Sequence, residues 1–112
     1  MFQKYRRFSK DRSEGIVAQV ACVVNRYGKK GTELVPILEM WESYSGWYWF
    51  ITEYADKKDP DWCFGFVVGL EDEWGYIDKS ELRSLRGVWK VPYKNWFSNS
   101  HVVMANKEEL KV

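Results

Sequence analysis

The chain has 112 residues, 46% of them hydrophobic and 29% charged, with a formal net charge of +1. That is the size and balance of one globular domain, and it excludes a globally disordered chain. The longest apolar run, Cys63 to Val68, is far too short to cross a bilayer, and the N-terminus lacks the apolar stretch of a secretory signal, so a soluble, cytoplasmic domain without membrane contact is expected.

Seven Trp, seven Tyr and six Phe are the unusual part of the composition. Rings bury large areas and suit pleated, half-buried strands, which favours a sheet over a helical bundle. Cys22 and Cys63 both fall in strand-like runs and read as buried free thiols. With one histidine, His101, and no CxxC pair, a zinc site of ordinary spacing cannot be assembled, and no metal or cofactor is expected.

The small net charge hides a segregation along the chain. Met1 to Thr52 carries eight Lys/Arg against five Asp/Glu, Glu53 to Glu81 three against nine, and Leu82 to Lys107 five against none. The chain is a dipole in sequence, and whether it is one in space depends on the fold.

In chain order, residues 1–14 read as a basic, mobile arm carrying Lys4, Arg6, Arg7, Lys10 and Arg12. Ile16 to Val24 is an interior strand, bounded by Gly15 and a turn at Asn25 to Gly28. Leu34 to Trp41 reads as a second strand that starts near an edge, because Pro36 removes a ladder donor, with a short helix as the alternative. Trp47 to Tyr54 is the most strand-like segment, with Trp47, Trp49 and Ile51 on one face and Tyr48, Phe50 and Thr52 on the other. After a polar loop, Trp62 to Val68 is a strand in which Gly65 marks a bulge or a close backbone approach. A connection of about five residues, Gly69 to Glu73, leads into a short strand at Trp74 to Ile77. Asp78 then caps a helix with Glu81 reaching back, Leu82 and Leu85 form its apolar face, and Gly87 ends it. Val88 to Val91 is a last strand, and the chain from Pro92 onward is irregular.

The segment WYWFITEYADKKDPDWCFGFVVGLEDEWGYIDKSELRSLRG contains an aromatic strand ending in Thr52-Glu53-Tyr54, an FGxVxG strand (Phe64, Gly65, Val67, Gly69), acids at Glu71 and Glu73, then Gly75-Tyr76 and Ser80-Glu81-Leu82. Over about residues 47–86 this resembles a family of small uncharacterised proteins found on plasmids, conjugative elements and phages. It differs in the loop after Tyr54 and at Trp74. The resemblance implies a cytoplasmic setting in a bacterium or its mobile elements, and it implies no reaction.

The carboxylates that invite chemistry are Glu53, Glu71, Asp72, Glu73 and Asp78, since two close acids can divide acid and base roles. Against that, Glu71 to Glu73 sit in a turn and Asp78 has a cap to make. The turn also lacks the ligand spacing of an EF-hand loop, and neither a glycine-rich phosphate loop nor a nucleophile elbow occurs. The aromatic residues, among them Trp41, Tyr48 and Phe50, form either a ring-filled core or an exposed patch.

These readings converge on an α+β domain, an antiparallel sheet of about five strands with one short helix near residues 78–86. The expected function is non-enzymatic: a small accessory protein of a phage or mobile element that binds a protein partner and inhibits a host defence system. The binding residues expected are Trp47, Trp49, Glu53, Tyr54, Trp62, Glu71, Glu73, Trp74 and Tyr76, with none catalytic. The alternative is single-stranded nucleic acid on the ring face, with Arg83, Arg86, Lys90 and Lys94 on phosphates. A third reading, a carboxylate-dependent hydrolase, requires Glu53 or Glu73 to meet another acid in a pocket. A homodimer stays open, because one short helix leaves apolar sheet to cover.

Overall fold

A computed structural model describes residues 19–24 and 34–106, which form an α+β fold of antiparallel sheets with little helix. They fall into two compact units, one made of residues 19–24, 34–36 and 97–106 and the other of residues 37–96. The expected basic arm lies outside the described residues.

The first unit is a three-stranded sheet of β1 (Gln19–Val24), β2 (Leu34–Pro36) and β8 (Val102–Asn106), in the order β2-β1-β8. Strand β1 is central, and Ala21, Cys22 and Val23 are buried. Pro36 ends the edge strand β2, where a missing N–H is tolerated. This corrects the expectation of one sheet and of a continuous strand from Leu34 to Trp41, because the chain leaves the ladder after the proline. It also corrects the expectation of an irregular tail: β8 pairs with β1 from Val102 to Asn106, and His101 just before it is buried.

The second unit is a five-stranded sheet in the order β6-β5-β4-β3-β7. Its strands are β3 (Glu39–Ser43), β4 (Tyr48–Tyr54), β5 (Trp62–Val68), β6 (Asp72–Asp78) and β7 (Val88–Lys90). The helix α1 (Lys79–Ser84) joins the two edge strands, and a short 3-10 helix, Tyr93–Ser98, follows β7. Every neighbouring pair is antiparallel, so the period of two sends Trp41, Trp49, Ile51, Cys63, Val67 and Ile77 to one face. There Trp41, Ile51, Cys63 and Ile77 close a core under Leu82 of α1.

The β5–β6 connection is shorter than expected, because Asp72 already pairs with Val68 and Gly69 N–H donates to Glu71 O at 3.2 Å. Asp78 caps α1 by accepting from Ser80 N–H at 3.0 Å and Ser80 Oγ at 2.7 Å, while Glu81 makes no bond back. The helix stops at Ser84. Leu85 is already extended and 50% exposed, out of phase with Leu82, and Gly87 turns the chain with φ +76°.

One irregularity matters for the site. The β4–β5 register shifts between Ile51 and Glu53, so Thr52 is the extra residue of a bulge and Tyr54, not Glu53, shares a face with Ile51. Gly65 sits opposite this bulge, and a Cβ there would lie 1.9 Å from Phe50 O. Gly75, its partner across β6, has open space at the same position. Gly65→Ala is therefore expected to cost about 1–3 kcal/mol in urea unfolding, the range for overpacking. Gly75→Ala should stay within about 0.5 kcal/mol.

Candidate protein-binding face

The bulge brings the Tyr54 hydroxyl to a buried carboxylate on β3. Glu39 Oε2 accepts from Tyr54 OH at 2.8 Å and from Lys79 Nζ at 2.9 Å, and Oε1 accepts from Trp41 Nε1 at 3.0 Å, with Lys90 Nζ 3.9 Å away. Lys79 Nζ also lies 5.2 Å from the Tyr54 ring centroid. Burial pushes Glu39 up, but the donors Lys79, Trp41 and Tyr54 outweigh it and hold the carboxyl below its ordinary value. Burial and the same carboxylate push the Tyr54 phenol up to about 12. Burial likewise raises the neighbouring Cys63 thiol, which like Cys22 is buried and in no disulfide.

Sequence reasoning missed Glu39. Its one local sign is an acid inside the apolar run Val35 to Trp41, two residues from Trp41 and so on the same face. Its cation is 40 positions away along the chain. With both oxygens accepting from side chains fixed on β3, β4 and α1, the carboxylate acts as a clamp.

The opposite face of the sheet is a ladder of rings. Trp62 stacks on Tyr76 with centroids 5.2 Å apart and planes at 5°, Phe64 meets Tyr76 edge-on at 5.2 Å, and Trp74 lies between Phe64 and Phe66. Phe66 continues to Phe50 and Tyr48. The ladder runs from fully buried rings at Phe50 and Phe66 to open ones at Trp62 (39% exposed) and Tyr76 (63%). Strand register puts Glu53, Asp72 and Asp78 on this same face, so carboxylates rim the exposed rings.

The residues expected to bind are thus divided. Glu53, Trp62, Trp74 and Tyr76 meet on the ring face. Tyr54 belongs to the Glu39 clamp, Glu71 lies in the β5–β6 turn, and Glu73 is exposed on the helix-side face. Trp47 and Trp49 stack on the helix side, 6.0 Å apart, and with Tyr44, Leu85, Arg86 and Val88 line a groove of about 320 Å³. A second groove of about 450 Å³ lies between Leu38, Lys90, Val91 and the ring pair Tyr93 and Trp96. Neither groove borders Glu39.

Glu53 and Glu73 point to opposite faces with β5 between them, so these two carboxylates do not meet, and neither lines either groove. Among the described residues no three His, Cys, Asp or Glu side chains gather as metal ligands, and no helix is long and apolar enough to cross a membrane. The basic residues are dispersed. Arg83 is paired to Asp61 at 2.6 Å, which raises its pKa; Lys90 is on β7, Arg86 in the first groove and Lys94 on the 3-10 helix. The β7 edge lies four strand spacings from β6, roughly 19 Å.

Comparison of the chain with protein-family models, curated proteins and solved structures finds no match.

Removing the clamped charge has a defined outcome. Glu39→Gln leaves Lys79 without its buried counter-ion and should cost roughly 2–4 kcal/mol in urea unfolding. A carboxyl held below its ordinary value of 4.5 stabilises the fold above that value, and the contribution is lost as pH falls through the lowered one. The Tyr54 contribution is present below its ordinary value of 10.0 and is lost as pH rises through about 12. Stability measured against pH should keep both limbs in the parent and lose the Glu39 contribution in Glu39→Gln.

Proposed function

We propose that this chain is a non-enzymatic binding protein that engages a protein partner through the acid-rimmed rings of β5 and β6. The supporting observation is the Trp62–Tyr76 stack, open on a sheet face to which β4 and β6 contribute the carboxylates Glu53, Asp72 and Asp78. Exposed Trp and Tyr are the side chains that anchor protein interfaces, each worth about 2 kcal/mol or more when buried in a partner pocket. Carboxylates beside them repel phosphate and favour a cationic partner surface. The family resemblance over residues 47–86 suggests the cytoplasm of a bacterium, an accessory role on a phage or mobile element, and a host defence protein as the partner it inhibits.

One observation favours single-stranded nucleic acid as a second reading. Arg86 shares its groove with Tyr44, Trp47 and Trp49, the juxtaposition of cation and ring that base stacking uses. It is one cation, and Lys90 and Lys94 do not line this groove.

The test is a pull-down from bacterial lysate with tagged protein at low and moderate salt, comparing the parent with Trp62→Ala and Arg86→Ala. The expected result is a protein retained at both salts by the parent and Arg86→Ala and lost with Trp62→Ala. Nucleic acid recovered only at low salt, kept by Trp62→Ala and lost with Arg86→Ala, would transfer the assignment to the second reading.

A further inference from the structure

The outer side of β6 carries a more specific instruction than its rings alone. Strand β6 is the edge of its sheet, and among the described residues it pairs with β5 alone. Two backbone hydrogen bonds fix which of its backbone groups are used. Lys79 N–H donates to Asp61 O at 2.8 Å, and Gly69 N–H donates to Glu71 O at 3.2 Å. Both bonds extend the β5–β6 register at its two ends, and both involve an odd-numbered residue on the β6 side. In an antiparallel ladder the hydrogen-bonded residues alternate with residues whose N–H and C=O point the other way. The odd residues of β6 therefore bond to β5, and Asp72, Trp74 and Tyr76 present their backbone N–H and C=O outward. These same residues carry their side chains on the ring face.

Open edges invite pairing, and proteins usually block them with charge, bulges or cover. Here the charge is of one sign. An antiparallel pairing of two β6 edges centred on Gly75 would set Asp72 against Asp78 of the second copy, which disfavours self-association at this edge. A strand bearing cations meets the opposite situation. Its side chains on the ring face would lie beside Asp72, Trp74, Tyr76 and Asp78, where ion pairs and cation–π contacts are both available. Its side chains on the other face would lie beside Glu73, Gly75 and Ile77. The open space at Gly75 leaves room for one large side chain there, in the way an aromatic residue covers a glycine across a strand pair.

We infer that β6 is a docking edge for a basic extended segment of the partner protein, which adds as a further strand with Lys or Arg over the Trp74–Tyr76 side and a bulky apolar residue opposite Gly75. The inference rests on the protein-binding reading and names its chemistry. Main-chain bonds supply affinity, and alternate side chains supply selectivity, as in other strand-addition complexes.

The probe is the peptide Arg-Val-Arg-Phe-Thr-Lys-Arg, written to run antiparallel to β6 with Phe opposite Gly75. Binding to the full chain is followed by Trp fluorescence and by hydrogen exchange of the β6 amides. The expected result is saturable binding with slowed exchange at Trp74 and Tyr76. N-methylation of the second Arg and of Thr, whose amides face β6, should weaken binding by about tenfold or more, while N-methylation of Phe, whose amide faces away, should leave it unchanged. Asp72→Lys should weaken it as well, with the fold checked by circular dichroism. Equal binding by all three peptides would overturn strand addition and leave a peptide lying on the rings. Absence of binding, with a lysate protein still lost on Trp62→Ala, would overturn the basic-strand partner and leave the ring-face reading standing.

Discussion

A carboxylate taken out of water must find donors for its oxygens, and Glu39 finds them on separate elements of the sheet unit. Trp41 comes from its own strand, Tyr54 from β4 and Lys79 from the start of α1. Each donor fixes a different degree of freedom. The Tyr54 bond requires the bulge at Thr52, because without the extra residue the phenol would lie on the ring face. The Lys79 bond fixes where α1 begins, and so where Leu82 meets the apolar core. An isolated buried charge would cost several kcal/mol, so register, bulge and helix start are coupled through one side chain.

The same coupling explains how the two faces of the sheet come to differ. Helix α1 covers the face with Ile51, Cys63 and Ile77 and leaves the opposite face to rings. Gly65 lets the bulged strand approach within a distance that a methyl group would not allow. Rings then cross from β6 to β4 in steps of 5–6.5 Å, buried at one end and open at the other. One face of the sheet is thus closed by the clamp and the helix, and the other leaves Trp62 and Tyr76 open.

Much of this was legible in the residues. Alternation gave β4, the apolar run from Cys63 to Val68 gave β5, the Asp78 signal gave the helix, and the strand-like stretch Ile16 to Val24, described from Gln19 on, gave an interior strand. Distance along the chain concealed the rest. Nothing near Glu39 announces Lys79, and nothing in Val102 to Ala105 says that its partner is β1 near the other end of the sequence. Gly65 signals either a bulge or a close backbone approach, and it is the close approach, to Phe50 O, while the bulge itself falls across from it at Thr52. Leu85 misled for a local reason. A helix pattern read past its true end assigns a face to a residue that is no longer helical.

The path of α1 also decides where charge resides. Strands β6 and β7 are joined by a single short crossover, yet they occupy opposite edges of the sheet. The acids of β6 and Lys90 of β7 are thereby placed on opposite edges, roughly 19 Å apart. For the cationic partner proposed above, the carboxylates of β6 would draw the approach towards that edge, and added salt would slow that arrival more than it would loosen the finished complex.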